Sequence, residues 1–456
     1  MVARVVIAAP GSGHGKTTVA AGVMAALRAR GHVVSGHKVG PDFIDPSYHA
    51  LATGRPARNL DPFLQGEERI VPLLLHGSAG ADIAVIEGVM GLFDGALGTE
   101  GYASTAHVAR LLDAPVVLVV DASAASRSVA AVVLGFANYD PRVRLAGVIL
   151  NKLGSQRHED EIVTALEATG VPLLGALRRN EDIHAPSRHL GLVPAAERAA
   201  DSERMLPRLA EWISGGVDLD AVVRVALRAS KLSGAPWDPA TEVSFEGGPR
   251  AIVAAAAGPA FTFRYTEDVE LLAAAGVDVV DVDPLREQRL PAGAAGLYFG
   301  GGFPEVHAAE LSANQSLRAE VAGAIERGMP VSAECAGLLY LCRELDGLPM
   351  VGALDAVASM TKRGKLGYRT AVSIEDNVLA RAGQRVTGHE FHRTEVAPRR
   401  GETAAWGWDR EPEGFASPTL HASYLHVHWA GYPELASRFA AAVHAYSPVS
   451  SATADA

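Results

Sequence analysis

The sequence predicts an α/β protein whose first half is a parallel-sheet domain carrying a P-loop and whose second half is a separate α/β domain. The β-branched residues 5–7 run directly into a glycine-rich loop and then into an Ala-rich helical pattern. Apolar strands alternate with helical segments in both halves, which is typical of parallel sheets joined by right-handed crossovers. At 456 residues the chain is also too long for one ordinary core, which indicates two domains.

A break in this alternation predicts the domain boundaries. Strands and helices alternate through residues 1–229, and the Gly-, Pro- and Ser-containing residues 230–249 indicate a linker. A second series of strands and helices fills residues 250–446. Residues 447–456 are expected to form a disordered tail.

Composition and charge limit the partners. The formal net charge is −11 and no run of Lys and Arg occurs, so nucleic acid is not an expected partner. The apolar run at residues 114–120 is far shorter than the roughly 20 residues that cross a bilayer, so no membrane partner is expected. The chain enters a strand without a signal-peptide pattern, and its two cysteines form no disulfide framework. These observations predict a cytoplasmic protein.

Residues 9–18 form a phosphate-binding pattern between the first strand and the first helix. Glycines let backbone N–H groups converge on phosphate oxygens, a lysine adds positive charge, and a threonine hydroxyl can bind Mg²⁺ at the start of the helix. The alternative is a glycine-rich turn that binds nothing. We assign nucleotide binding to Gly11, Gly13, Gly15, Lys16, Thr17 and Thr18. Pro10 replaces a usual glycine, so the loop resembles the variant loops of dethiobiotin synthetase and its relatives.

Charged residues follow two later strands, where ligands of open α/β sheets bind. Lys38 is expected to neutralise phosphate or carboxylate charge during catalysis. Glu87 ends an apolar run, where a carboxylate is costly to bury without a cation, and we expect it to bind Mg²⁺ with Asp45 and Thr17. Asp42 is a further candidate ligand. The alternative is that both aspartates are turn residues beside prolines.

Asn151 follows the strand predicted at residues 145–150 and is a candidate for reading the nucleotide base. Its side chain carries a donor and an acceptor, which suits the adenine edge. Gly154 stands where a guanine-reading aspartate would be expected, so ATP is favoured over GTP. The alternative is an asparagine that caps a turn.

In the second half, Cys335 lies among small residues at a predicted strand-to-helix junction. Such a nucleophile elbow exposes the thiol, and the helix N-terminus lowers its pKa. The N–H group of Ala336 is expected to bind an oxyanion, with Gly301 or Gly302 as the second donor. Cys342 is expected two turns along the same helix, in the core.

A nucleophilic thiol needs a base, and a His-x-His pattern supplies candidates. His426 and His428 fall on the same side of an extended segment because side chains alternate along it. Either histidine alone would more often be structural. Together with the elbow cysteine and the glycine-rich strand end, they indicate a catalytic site.

With these residues identified, the second half resembles a class I glutamine amidotransferase domain. The whole chain, with its dethiobiotin-synthetase-like ATP domain first, resembles the cobyrinic and hydrogenobyrinic acid a,c-diamide synthases. The passages that carry this resemblance are residues 39–49, 86–95, 301–305, 366–369, 388–392 and 423–428. Two departures, Gly258 for an acid and Ala336 for a glycine, remove no catalytic atom.

The resemblance implies a glutamine-hydrolysing carbon–nitrogen ligase of cobalamin biosynthesis. Cys335 would form a glutamyl thioester and release ammonia, His426 would be the base, and His428 would stand where the family's acid usually lies. ATP and Mg²⁺ would activate the a and c acetates of a corrin acid as acyl phosphates, which ammonia then attacks. Because ammonium dominates in bulk water, we expect the ammonia to be sheltered.

Several alternatives stay open at this point. The motifs do not separate a corrin acid, with or without cobalt, from nickel-sirohydrochlorin, which a close relative amidates. A partition-type P-loop ATPase that switches partners would share the variant loop but have no use for Cys335. Dethiobiotin synthetase itself would not need the second domain. A homodimer is open as well.

Overall fold

The computed structural model describes residues 2–180, 183, 187–188, 191–192, 199–409 and 411–447. Of residues 187–188, 191–192 and 199–203 it describes the backbone alone. The chain divides into two compact units, Met1–Trp237 and Asp238–Ala456. This division falls inside the predicted linker, which also contains a short helix, Pro239–Glu242. The tail predicted at residues 447–456 lies outside the described residues beyond residue 447.

The first unit is built on a seven-stranded parallel sheet with the strand order β3-β2-β4-β1-β5-β6-β7. Its strands are β1 Ala3–Ala8, β2 Val34–Val39, β3 Arg58–Leu60, β4 Ile83–Glu87, β5 Val116–Asp121, β6 Leu145–Leu153 and β7 Leu173–Arg178. A small hairpin follows, with β8 Ser187–Arg188 and β9 Gly191–Leu192. The central strands are buried along almost their whole length because helices cover both faces.

The helices of this unit alternate with its strands, as the sequence predicts. They are α1 Lys16–Ala29, α2 Ile44–Thr53, α3 Pro62–Gln65, α4 Glu67–Gly77, α5 Thr105–Leu111, α6 Ser128–Tyr139, α7 Gln156–Glu167, α8 Ala199–Gly216 and α9 Leu219–Leu227. The strand order places the carboxyl ends of β2, β4 and β1 side by side. Residues that follow these three strands therefore meet at one edge of the sheet.

The second unit contains a six-stranded sheet with the order β11-β10-β12-β13-β21-β20, of which only β20 is antiparallel to its neighbour. Its strands are β10 Ala251–Ala256, β11 Val277–Val282, β12 Ala294–Phe299, β13 Val331–Glu334, β20 Phe415–Ala416 and β21 Leu420–Ser423. A second sheet packs into the same hydrophobic core. Its strands are β14 Cys342–Leu345, β15 Leu348–Pro349, β16 Leu354–Ser373, β17 Arg385–Ala397, β18 Trp406–Trp408 and β19 Glu411–Glu413.

The helices of the second unit are α10 Pro239–Glu242, α11 Thr266–Ala274, α12 Ala308–Ala313, α13 Gln315–Glu326, α14 Ala336–Leu341 and α15 Pro433–Ala445. A 3₁₀ turn, Trp429–Gly431, precedes α15. Within the part of the chain that the structure describes, every helix is too short or too polar to cross a membrane. The predicted fold class, a P-loop parallel-sheet domain followed by an α/β domain, is confirmed.

Candidate active site

Cys335 sits at a strained turn between β13 and α14. The strand ends at Glu334, α14 begins at Ala336, and Cys335 itself has φ of 49° and ψ of −98°. A positive φ in a residue other than glycine costs free energy and is typical of functional turns. The sharp turn of the predicted nucleophile elbow is therefore present at the end of the sheet, but the predicted exposure of the thiol is not, because only 4% of the surface of Cys335 is exposed.

His426 is the histidine that reaches the thiol. Its ring is hydrogen-bonded to Cys335, and its Nδ1 lies 3.4 Å from Oε2 of Glu334. Burial would lower the pKa of His426, but these two partners raise it overall to about 10. A protonated imidazole stabilises a neighbouring thiolate, which is the form in which a cysteine acts as a nucleophile.

His428 faces different partners. Its Nε2 lies 3.6 Å from Oε2 of Glu267, and its Nδ1 accepts a 3.3 Å hydrogen bond from the N–H of Ala430. The ring also stacks on Tyr265 with 4.1 Å between centroids. These contacts support His426, rather than His428, as the base.

His389 of β17 holds His426 from its other side. The two residues exchange backbone hydrogen bonds of 3.0 Å, and their rings stack with 4.9 Å between centroids. Burial and the nearby His426 and His428 hold the pKa of His389 well below its usual range. A neutral ring at this place adds no charge that would compete with the imidazolium of His426.

One predicted oxyanion donor is already engaged in the protein. The N–H of Gly301 donates to the carbonyl of Phe263 at 3.0 Å, so Gly301 is not available to an oxyanion and that prediction is corrected. The β-bridge between these residues uses the N–H group that the sequence predicts as an oxyanion donor. Gly302, with φ of 157°, stays the predicted second donor beside the N–H of Ala336.

Gly301 nevertheless shapes the site, because a Cβ at this position would lie 2.5 Å from Cε1 of His426. We expect Gly301→Ala to displace the imidazole and to lower glutamine hydrolysis by about 100-fold, since a 1 Å misplacement of a catalytic group costs roughly that much. Glutamate release measures this effect. Gly323→Ala on α13 is the control, because its Cβ would meet only the end of the flexible Arg327 side chain. Unchanged hydrolysis in Gly301→Ala would contradict the role given to His426.

Cys342 is a core residue, but not on the helix. The prediction placed it two turns along the helix, whereas α14 ends at Leu341 and Cys342 begins β14. Its thiol donates to the carbonyl of Leu338 at 3.3 Å, and burial raises its pKa to about 12. A thiol with this pKa is inert at neutral pH.

In the first unit, the glycine-rich loop has the conformation that the pattern predicts. Gly13 and Gly15 have φ of 84° and 85°, and a Cβ on Gly15 would lie 2.3 Å from Nδ2 of Asn151. Lys16 begins α1 and donates from Nζ to the carbonyl of Met90 at 2.7 Å. Burial and the nearby Lys38 lower the pKa of Lys16, an effect that bound phosphate would oppose.

A buried charge cluster forms where β2 and β4 end. Lys38 Nζ donates to Asp45 Oδ2 at 2.5 Å and to Glu87 Oε1 at 3.0 Å. The hydroxyl of Thr17 donates to Glu87 Oε1 at 2.6 Å and lies 3.2 Å from Asp45 Oδ2. His49 Nε2 lies 2.6 Å from the other oxygen of Glu87. The structure thus brings together five residues. The sequence predicts three of them as metal ligands and Lys38 as a catalytic cation, and His49 is the fifth.

The pKa values of the charged groups in this cluster shift in different directions. Burial alone would lower the pKa of Lys38, but Asp45 and Glu87 raise it well above its usual range. Burial would raise the pKa of Glu87, but Lys38 and His49 hold it low. Burial and repulsion from Asp42 and Glu87 raise the pKa of Asp45. Further positive charge at this place would therefore favour the ionised form of Asp45.

Asp42 has the role that the turn alternative describes. Its carboxylate accepts hydrogen bonds from the N–H groups of Ile44 at 2.7 Å and Asp45 at 3.1 Å, at the start of α2. Asp45 itself lies in the first turn of that helix and points into the cluster. The two aspartates of one motif therefore have different roles.

Asn151 and its neighbour brace the glycine-rich loop. Asn151 Nδ2 donates to the carbonyl of His14 at 2.9 Å, and Lys152 Nζ donates to the carbonyl of Gly13 at 2.8 Å. Lys152 also pairs with Asp121 at 2.6 Å, and the N–H of Asp121 donates to the ring of His14. The contact between Asn151 and adenine stays a prediction.

Sequence reasoning did not identify three of the buried groups at these sites: His49, Glu267 and Glu334. The partner of each lies far along the chain. A signal existed for Glu334, since an acid at the end of a buried strand, directly before the candidate nucleophile, is costly to bury without a partner. The others depended on the tertiary fold.

Comparisons with known proteins agree with this geometry. The family model described as the CobQ/CobB/MinD/ParA nucleotide binding domain matches residues 5–193. The model described as the CobB/CobQ-like glutamine amidotransferase domain matches residues 252–433. The P-loop and its charge cluster thus lie in a nucleotide-binding domain, and the Cys335–His426 pair lies in an amidotransferase domain.

Relatives match over almost the full length of the chain. It is 56% identical to the hydrogenobyrinate a,c-diamide synthase of Streptomyces coelicolor, covering 96% of this chain and 97% of that protein. It is 56% identical to the synthase of the same name from Thermobifida fusca, covering 98% of each. It is 42% identical to the cobyrinate a,c-diamide synthase of a Synechococcus strain, covering 95% of this chain and 97% of that protein. The chain therefore belongs to the family of hydrogenobyrinate and cobyrinate a,c-diamide synthases.

Proposed function

We propose that this protein converts the a and c acetate groups of a corrin acid into amides, using ATP and glutamine. One observation carries the proposal: a P-loop charge cluster and a thiol–imidazole pair occur in one chain whose relatives are a,c-diamide synthases. The first site suits activation of a carboxylate, and the second suits release of ammonia. Relatives at 56% identity are named for hydrogenobyrinate and one at 42% for cobyrinate, which supports the cobalt-free acid as substrate.

The second unit would produce ammonia from glutamine. The thiolate of Cys335 attacks the amide carbon, and the N–H groups of Ala336 and Gly302 stabilise the oxyanion. His426 gives its proton to the leaving nitrogen, so the carbon–nitrogen bond breaks and ammonia departs. Water, deprotonated by His426, then hydrolyses the glutamyl thioester and restores the thiol.

The first unit would make the acetate electrophilic. A carboxylate does not condense with ammonia in water because hydroxide is a poor leaving group. Transfer of the γ-phosphoryl group of ATP to the acetate oxygen gives an acyl phosphate and ADP. Ammonia attacks its carbonyl carbon, phosphate leaves, and a proton is lost to give the amide. Lys16 and Lys38 are the cations that would stabilise the charge spreading over the phosphoryl oxygens.

The donor set beside the P-loop fits Mg²⁺. Thr17, Asp45 and Glu87 present oxygen atoms that converge at the start of α1, and Mg²⁺ binds oxygen ligands together with substrate phosphates. Burial and the neighbouring Asp42 and Glu87 raise the pKa of Asp45, so a divalent cation would stabilise its ionised form. When bound, the ion would neutralise charge on the nucleotide phosphates. Lys38 holds the same two carboxylates together.

We expect Asp45→Asn to raise the Mg²⁺ concentration that half-saturates ATP-dependent amidation by at least about tenfold, since removing even an outer partner of a metal site costs roughly 10- to 100-fold in affinity. A magnesium titration of ADP release measures this. Asp42→Asn is the matched control, because asparagine keeps an oxygen that accepts the N–H groups of Ile44 and Asp45. Equal magnesium dependence in Asp45→Asn and the wild type would contradict the assignment of Asp45.

Mass spectrometry of candidate acids tests the substrate. Hydrogenobyrinic acid, cobyrinic acid and nickel-sirohydrochlorin are each incubated with the protein, ATP, Mg²⁺ and glutamine. We expect two carboxyl groups of hydrogenobyrinic acid to become amides. Conversion of nickel-sirohydrochlorin alone would overturn the corrin assignment, and ATP hydrolysis without any amide would overturn the ligase assignment in favour of an ATPase switch.

A further inference from the structure

Glu334 is a buried carboxylate. Neither the sequence motifs nor the family resemblance assigns it a role. It ends β13, directly before Cys335, and only 5% of its surface is exposed. Oε2 lies 3.4 Å from Nδ1 of His426, and Oε1 accepts a 3.5 Å hydrogen bond from the N–H of Val427. Both oxygens therefore face the segment that carries the catalytic histidine.

A cysteine–histidine pair works only when the imidazole presents the correct nitrogen to the thiol. In the Ser-His-Asp triad a carboxylate performs this task by binding Nδ1, which orients the ring and stabilises the imidazolium. In this chain Nδ1 of His426 points to Glu334, which leaves Nε2 for Cys335. The nucleophile and the carboxylate are thus adjacent in sequence and lie on either side of one imidazole.

The position at which the family usually carries its acid does not supply this carboxylate. His428 stands there and is turned to Glu267 and Tyr265 on the α11 side of the site. We propose that Glu334 is the positioning carboxylate of the glutaminase site, holding His426 oriented and protonated beside Cys335. This inference rests on the proposed glutaminase function.

Two neighbouring groups affect how much negative charge surrounds Glu334. Besides Cys335 and His426, the titratable groups that interact with Glu334 are Asp268 on α11 and Tyr298 on β12. Further out, Glu267 interacts with Asp268 and His428, and His389 of β17 interacts with His426 and His428. Burial and the neighbouring Glu334 raise the pKa of Asp268 well above its usual range. A proton on Asp268 removes one negative charge, so repulsion at Glu334 is reduced. Burial, Asp268 and Glu334 likewise raise the pKa of Tyr298 and keep its phenol neutral.

The test compares Glu334→Gln with two other variants of the full-length protein. Glutamine keeps the volume of the side chain and an oxygen for the N–H of Val427, but it removes the charge. Glu413→Gln is the matched control, because Glu413 is also buried and accepts hydrogen bonds from Ser423 and Tyr424 instead of facing His426. Cys335→Ser reports whether the glutaminase depends on the thiol at all.

We expect Glu334→Gln to lower kcat for glutamine hydrolysis by about 100-fold, the lower part of the range for general acid–base catalysis, with little change in KM. Loss of the negative partner also lowers the pKa of His426, so the imidazolium loses its proton at lower pH. The basic limb of the kcat profile therefore moves to lower pH in Glu334→Gln and stays in place in Glu413→Gln. Amidation driven by ammonium chloride is retained, which shows that the variant is folded.

The outcomes separate this inference from the function on which it rests. If Cys335→Ser abolishes hydrolysis while Glu334→Gln keeps the wild-type kcat and basic limb, Glu334 has no positioning role. The inference is also overturned if Glu334→Gln and Glu413→Gln both lower kcat and neither moves the basic limb. That result would indicate an effect on packing. If the wild type releases no glutamate from glutamine, the proposed function itself fails.

Discussion

Replacing Cys335 with serine is expected to abolish glutamine hydrolysis and glutamine-driven amidation, and to leave amidation driven by ammonium chloride intact. Serine has no accessible anionic form at neutral pH, whereas the thiolate is stabilised by the imidazolium of His426. Removing a catalytic nucleophile costs on the order of 10⁴- to 10⁶-fold in kcat. Glutamate release and amide formation, assayed in parallel, measure the two activities.

Cys342→Ser provides the control for this experiment. It is the same substitution in the same unit, at a buried thiol whose high pKa makes it unreactive. Its glutaminase activity should persist. Loss of hydrolysis in Cys342→Ser with retention in Cys335→Ser would move the nucleophile to the other cysteine and refute the site described above.

Replacing Lys16 with methionine is expected to have the opposite effect: amidation is lost, whereas glutamine hydrolysis is retained. Amidation should fall about 100- to 1000-fold with either nitrogen source, since removing one preorganised donor from a charged transition state costs roughly this much. Glutamine hydrolysis should continue, because Lys16 and Cys335 belong to different units. ADP release, amide formation and glutamate release are measured on one preparation.

Lys231→Met is the matched control, since Lys231 is an exposed lysine of the same unit, outside its strands and helices. It should amidate at the wild-type rate. Equal amidation by Lys16→Met and the wild type would show that the P-loop does not serve this reaction.

Local sequence patterns were sufficient for the fold class and for the framework of both sites. The glycine-rich loop and the elbow at Cys335 are each encoded by consecutive residues, since a strand, a tight turn and a helix follow one another within about ten positions. Glu87 could be identified because an acid that ends an apolar strand requires a cation. The family resemblance, which rested on several such passages, is confirmed by the full-length relatives.

Contacts between distant segments could not be predicted in the same way. The N–H of Gly301 donates to the carbonyl of Phe263 in a β-bridge between two loops. The spacing of residues along the sequence does not predict this contact. Glu334 meets His426 across 92 positions because β13 and β21 are neighbours in the sheet. His49 of α2 reaches Glu87 because α2 packs against β2, and β2 is the neighbour of β4 in the sheet.

The remaining differences between prediction and structure arise where neighbouring residues of the sequence fit more than one local role. Asp42 and Asp45 are three residues apart and of one type, and only the start of α2 decides that the first caps the helix and the second enters the charge cluster. Cys342 falls outside α14 because the helix ends after six residues. Asn151 has an amide that suits either a base or a backbone carbonyl, and here the carbonyl of His14 accepts its hydrogen bond.

The coupling of the two units is tested most directly by isotope transfer. Hydrogenobyrinic acid is incubated with the protein, ATP, Mg²⁺ and glutamine labelled with ¹⁵N at its amide, and the product is analysed by mass spectrometry. A product that carries two ¹⁵N amides, with one ADP formed for each, is the expected result. Labelled ammonia accumulating beside an unmodified acid, while ATP is still consumed, would contradict the account.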